Sequence, residues 1–221
     1  MKSKLITLIA TLIISVSNAQ TVQVSASEAD AQIIVDGQNL GTGTLKVKVP
    51  KNDCVNIKIQ KVGFLKIEQT YCNKKGSTEP PKKQYFEMKK DDALEASVKT
   101  DQANVDFSVT VNEKLTSDDA WKLTTQIVTD YFDAIEVSDK ETSYLRTAWN
   151  VQSFQQNTIR TRLIIKLGNS SPLTFKIKLV SEFSGGAGTS VKADEQFREW
   201  DRILRKYQNI IGDFSTRLGN K

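Results

Sequence analysis

Residues 54–72 read CVNIKIQKVGFLKIEQTYC. A turn over Lys61-Val62-Gly63-Phe64 folds this stretch back on itself. Centred on Gly63, it sets Cys54 opposite Cys72, Val55 opposite Tyr71, Lys58 opposite Glu68 and Ile59 opposite Ile67. Opposite charges then meet on one face and apolar groups on the other, so the spacing predicts an antiparallel β-hairpin stapled by a Cys54–Cys72 disulfide. A bond closing a loop of this size contributes about 3 kcal/mol, a large share for a module of roughly 70 residues.

Whether those thiols oxidise depends on the compartment, and the amino terminus speaks to that. Met1-Lys2-Ser3-Lys4 is followed by an apolar run from Leu5 to Val16, then Ser17-Asn18-Ala19 before Gln20. A basic start, a short apolar core and small residues before a cut are the pattern of a cleaved secretory leader over residues 1–19. Its dozen apolar residues span about 18 Å as a helix, short of the roughly 30 Å of a hydrocarbon core. Residue 20 is Gln rather than Cys, so no lipid is expected at the new terminus, and no second apolar run predicts a membrane span. The expected location is periplasmic or secreted, where an even cysteine pair forms a structural disulfide. Leaders ending Asn-Ala-Gln resemble those of Bacteroidota envelope proteins.

Composition narrows the chemistry. The 221 residues include 31 Lys and Arg, 26 Asp and Glu, and no histidine. Without histidine there is no Ser/His or Cys/His nucleophile pair, and the commonest zinc and copper ligand is missing. Losing Lys2 and Lys4 with the leader leaves 29 basic against 26 acidic side chains. That is too mild a surplus for a nucleic-acid protein. No Gly-x-Ser-x-Gly turn, metal-ligand cluster or paired catalytic carboxylates appears, so no enzyme and no cofactor is expected.

Outward from the hairpin, residues 22–25, 31–35, 45–49, 55–60, 65–71 and 84–88 alternate or carry β-branched apolar residues, with turn signals at Asp36-Gly37, Gly41, Gly43 and Pro50. Residues 20–89 therefore predict a small all-β, sandwich-like domain with an exposed Lys- and Pro-rich loop at 73–83. The charged stretch 90–104 is expected to link domains, with a short helix near 91–98.

Residues 105–221 change pattern. Val105, Phe107, Val109 and Val111 alternate with polar residues, and Thr116 or Ser117 caps a helix whose first turn carries Asp118 and Asp119. Strands follow near 134–137, 144–151, 159–167 and 173–183, with odd-numbered residues predicted to face inward. Phe197, Trp200, Leu204, Tyr207, Ile211, Phe214 and Leu218 recur at steps of three and four, which predicts a long helix over about 191–218 that covers the sheet. The expected class is α+β: a small all-β domain, then a helix-grip domain with an antiparallel sheet and a long C-terminal helix.

Ala31-Gln32-Ile33-Ile34-Val35-Asp36-Gly37-Gln38, Gly41, Leu45, Val49-Pro50 and Gly63-Phe64 resemble a PEGA-type β-module over residues 22–71. The resemblance implies a small accessory domain of an exported bacterial protein. Asp119-Ala120-Trp121, Ser143-Tyr144-Leu145-Arg146-Thr147-Ala148-Trp149 and Arg160-Thr161-Arg162-Leu163 are similar to the helix-grip domains of BamC-like outer-membrane assembly lipoproteins.

Candidate sites are two. With odd residues inward, Arg146, Arg160, Arg162, Lys166, Lys176 and Lys178 share the outer face, and a hairpin about Ser170 sets basic beside basic, for example Arg162 against Lys178. This predicts a patch for an anionic envelope component or envelope protein. Alternatively, Trp149, Phe175, Phe183, Trp200, Tyr207 and Phe214 line a cavity beneath the long helix for an apolar ligand or lipid, with the glycine-rich residues 184–190 as a flexible gate. The leading expectation is a non-catalytic envelope interaction protein, and the alternative is a carrier.

Overall fold

The computed structural model describes residues 19–219, so the leader assigned to residues 1–19 lies, but for Ala19, outside the described residues. The chain separates into two compact units, one ending at Lys89 and the other starting at Lys90.

The amino-terminal unit holds β1 (Gln20–Ala26), β2 (Gln32–Val35), β3 (Gln38–Thr42), β4 (Thr44–Val49), β5 (Cys54–Gln60), β6 (Ile67–Cys72) and β7 (Lys83–Phe86). They form a three-stranded sheet, β4-β1-β7, and a four-stranded sheet, β3-β2-β5-β6. Val22, Val24, Val47 and Val49 from the first sheet and Ile33, Val35, Val55, Ile57 and Ile59 from the second enter one core cluster. Their alternation with polar residues is what a strand needs to bury one face and wet the other.

Asp36 and Gly37, with φ of 48° and 85°, make the two-residue turn between β2 and β3, a conformation glycine enters freely. Strand β3 lacked an apolar signal because its residues are almost all exposed; backbone pairing with β2 holds it. The β5–β6 register is the one read from the sequence: Cys54 faces Cys72, Lys58 faces Glu68 and Ile59 faces Ile67. The Cys54–Cys72 disulfide is formed.

The carboxy-terminal unit contains α1 (Asp92–Glu95), β8 (Ser97–Lys99), β9 (Asp106–Thr110), α2 (Ser117–Tyr131), β10 (Ile135–Asp139), β11 (Tyr144–Thr147), β12 (Asn150–Ser153), β13 (Thr158–Ser170), β14 (Leu173–Ser184), β15 (Arg198–Glu199), β16 (Arg202–Leu204) and α3 (Ile210–Leu218). The main sheet runs β10-β11-β13-β14-β15, with β12 on β13 and β9 on β14. The long β13–β14 hairpin is its spine. Odd residues Leu145, Ile159, Leu163, Ile165, Phe175, Ile177 and Leu179 are buried as expected, in one cluster with Ala120, Ile127 and Val128 of α2 and Ile210, Phe214 and Leu218 of α3. Leu167 departs from that parity and stands 41% exposed. Thr116 caps α2, its hydroxyl accepting from the Asp119 N–H and donating to the Asp119 carboxylate. Mostly sheet with a few helices, the chain is α+β.

Three expectations fail in this unit. Residues 90–104 are not a linker: Asp91 caps α1, Ala93 and Ser97 are buried, and β8 pairs with β16. Their polar composition is compatible with folding because the small residues are the ones that turn inward. Nor is 191–218 one long helix. It comprises single 3-10 turns at Asp194–Gln196 and Arg205–Tyr207, the short strands β15 and β16, and only the nine-residue α3. Phe197, Leu204, Tyr207, Phe214 and Leu218 are buried, as their spacing demanded, and so is Ile203. Backbone groups here find tertiary partners instead: the Trp200 N–H donates to the Ser181 carbonyl, and β16 pairs with β8. The strand expected over 144–151 is likewise split at Ala148-Trp149 into β11 and β12.

Candidate functional site

The even-numbered face of the main sheet carries the basic residues singled out by sequence. In the observed register Arg160 faces Glu182, Arg162 faces Val180, Ile164 faces Lys178, and Lys166 faces Lys176. Arg146 lies beside Ile164, and β9 sets Asp106 beside Lys178 and Ser108 beside Lys176. The expected opposition of Arg162 and Lys178 does not form, because the turn lies at Ser171-Pro172 and the strands pair about residue 171, one residue later than a turn centred on Ser170 dictates. Lys166 and Lys176 are the like-charged pair that remains.

Asp106 answers three lysines. Its carboxylate lies 2.7 Å from the Lys166 ammonium and 3.7 Å from that of Lys178. The hydrogen bond from Lys166 first, and then the charges of Lys166, Lys178 and Lys176, hold its carboxyl below the usual range against a modest desolvation. One carboxylate among three ammonium groups leaves a cationic surplus.

Arg160 is different in kind. Its side chain is 4% exposed and lies over the rings of Trp149, at 4.3 Å, and Phe197, at 4.0 Å. Its Nε donates to Glu182 at 2.7 Å, and Nη1 donates to the Asp194 carboxylate at 2.6 Å and the Val191 carbonyl at 2.7 Å. This guanidinium pins the segment after β14 to the sheet and is not on offer to a partner, which corrects its place in the patch. Arg146 is engaged too, its Nε 3.1 Å from Glu136.

Arg162 is the exception. It lies over the Trp149 ring at 4.0 Å, yet its buried Nε finds no acceptor among the described residues. Burial first, then repulsion by Arg146 and Arg160, pushes its guanidinium below its ordinary range, with Glu182 and Glu136 pulling the other way. The cations left able to meet an anion are Arg162, Lys166, Lys176 and Lys178. The acids that neutralise the others went unnoticed in the sequence. Asp106 and Glu182 share the even parity of their basic neighbours and could have been found by it, whereas Asp194 lies on a 3-10 turn that no periodicity signals.

The six aromatic residues assigned to a cavity do not converge. Phe175, Tyr207 and Phe214 are core side chains; Tyr207 stacks on Phe132 with centroids 4.8 Å apart, and Phe175 packs on Trp121 at 6.3 Å. Burial first, then the charge of Asp133, pushes the Tyr207 phenol up. Phe183 and Trp200 pack together at 6.3 Å and line a depression of about 150 Å³ with Asp91, Ala93, Leu94, Asn157 and Ile159. Trp149 lines another of about 190 Å³ with Phe132, Asp133, Ala134, Ala148 and Asn150. Both fall below the roughly 300 Å³ at which drug-sized ligand pockets begin.

The glycine-rich residues 184–190 are tied down rather than loose. The Gly186 carbonyl accepts from the hydroxyls of Thr158, Ser184 and Thr189, and the Thr189 N–H donates to Thr158. Among the described residues no His, Cys, Asp or Glu group could hold a metal, and no helix is long and apolar enough to cross a membrane. In comparisons with known proteins, no family model, curated protein or solved structure matches this chain.

Proposed function

We propose that this chain is an exported, non-catalytic interaction protein of the cell envelope, and that its carboxy-terminal unit engages an anionic partner through Arg162, Lys166, Lys176 and Lys178. The observation that carries the reading is the pairing of Lys166 against Lys176 with Asp106 as the carboxylate shared by three lysines. Like charges directly opposed across strands destabilise the pair, and an incoming anion relieves them. Partial burial beside Trp149 leaves Arg162 short of acceptors and adds a guanidinium fork suited to carboxylate or phosphate.

Three further points support the setting. The disulfide suits an oxidising compartment, residues 1–19 have the composition of a leader, and the resemblances to PEGA-type modules and BamC-like helix-grip domains both belong to exported proteins. The carrier reading gains nothing from the aromatic residues, which fill the core or line small depressions.

The test is capture from envelope extracts. The variant carrying Arg162→Gln, Lys166→Gln, Lys176→Gln and Lys178→Gln spares Arg160 and should unfold like the parent. It is expected to lose the envelope components that co-purify with the parent. Identical co-purification by parent and variant would remove the face from consideration.

A further inference from the structure

A second cationic face lies on the three-stranded sheet of the amino-terminal unit, and no part of the sequence reading singled it out. Val22 and Val24 of β1 point into the core, so Thr21, Gln23 and Ser25 point out. The register builds outward rows around them. Lys48 pairs with Thr21, Lys46 and Lys83 flank Gln23, and Thr44 and Tyr85 flank Ser25. At about 4.8 Å per strand, Lys46 and Lys83 stand roughly 10 Å apart across Gln23.

Lys46, Lys48 and Lys83 are exposed and make no ion pair among the described residues, and no acid occupies these rows. Tyr85 holds its ring 62% exposed beside them. Here an unneutralised cationic face carries its own aromatic platform.

We infer that this face binds an acidic polysaccharide. The three ammonium groups supply charge complementarity to carboxylates spaced along a polymer. Between them stand hydroxyls and an amide, Thr21, Gln23, Ser25 and Thr44, which can donate to and accept from a hydroxyl-rich chain. The Tyr85 ring offers an apolar face to sugar C–H groups and a hydroxyl at its tip. A lipid bilayer is served less well, because the middle of the face is polar and one ring is its whole apolar content. An acidic polypeptide would use the lysines but leave the hydroxyl row idle. The inference does not rest on the proposed role of the other unit.

Affinity electrophoresis and calorimetry of the full chain with alginate, a polyuronate, test it at low and high salt. Alginate should bind, and Lys46→Gln/Lys48→Gln/Lys83→Gln should weaken binding by about tenfold or more, with most of the salt dependence lost. Tyr85→Ala should weaken it by about threefold at both salt concentrations. Neutral dextran should not bind, and the Arg162/Lys166/Lys176/Lys178 variant should bind alginate as the parent does. No binding to alginate, or equal binding by the triple variant, overturns the inference. Polyglutamate or phosphatidylglycerol vesicles that bind as tightly, with the same dependence on the three lysines and Tyr85, overturn the choice of a polysaccharide.

Discussion

The outward faces of the two sheets hold their cations in opposite ways. On the three-stranded sheet Lys46, Lys48 and Lys83 make no ion pair among the described residues, while on the main sheet Arg160 is locked between two carboxylates and two aromatic rings and Asp106 draws in Lys166 and Lys178. Formal charge along a strand therefore says little about the charge a surface can offer. In the amino-terminal unit these three lysines stand apart from the apolar cluster and the disulfide that hold the fold. In the carboxy-terminal unit one cation belongs to the architecture.

The sharpest way to break this contrast is to remove Arg160. Arg160→Ala leaves Glu182 deprived of its buried partner and frees the Val191–Asp194 segment, at a cost of about 3–5 kcal/mol. Denaturant unfolding should show that loss in the carboxy-terminal unit, with the amino-terminal transition unmoved. The reciprocal experiment, Cys54→Ser with Cys72→Ser, should cost the amino-terminal unit about 3 kcal/mol and leave the other unit alone. If either variant shifts both transitions equally, the two units do not unfold separately.

A smaller effect lies between α2 and α3, where the Tyr131 hydroxyl donates to Asp213 at 2.5 Å. Burial, together with the Asp213 carboxylate, pushes the Tyr131 phenol up to about 12. A phenol whose folded value exceeds its unfolded value of about 10 contributes stability that is whole below about pH 10 and is lost as pH climbs towards the folded value. Tyr131→Phe should therefore cost about 1.5 kcal/mol at neutral pH and flatten the alkaline loss of stability measured by thermal melts.

The smallest effect on stability, and the most informative about charge, comes from Asp106→Asn. Because the folded carboxyl sits below its ordinary range, its contribution is present above about pH 4 and vanishes as pH falls through the folded value. The substitution should cost less than about 1 kcal/mol at neutral pH. It should also raise the affinity of the main-sheet face for anions, by leaving Lys166, Lys176 and Lys178 unanswered. Weaker anion binding by the Asn variant would mean that Asp106 positions those lysines rather than competing with the partner.

How much of this was legible beforehand follows from where each partner sits. The β5–β6 register, the Asp36-Gly37 turn, the Thr116 cap and the inward parity of β13 and β14 depend on residues near in sequence or on a strict alternation, and all were readable. The tail was not. Its three-and-four spacing marked the buried side chains Phe197, Leu204, Tyr207, Phe214 and Leu218, yet strand and 3-10 segments can bury the same residues when their backbone pairs elsewhere. The cationic patch was half legible: the parity placed the basic residues on one face, with Glu182 of β14 among them, and the other neutralising acids came from β9, β10 and the 3-10 turn at Asp194.

By itself, then, the sequence determined which side chains must leave water, where the hairpin turns, and that its two cysteines meet, because local geometry and hydrophobic alternation are properties of the chain. Only the tertiary structure decided which backbone groups residues 197–204 pair with and which charges are answered. Those depend on contacts between residues up to about a hundred positions apart, such as Ser97 with Arg202 and Arg160 with Asp194, and a cation's availability is settled by its neighbours in space.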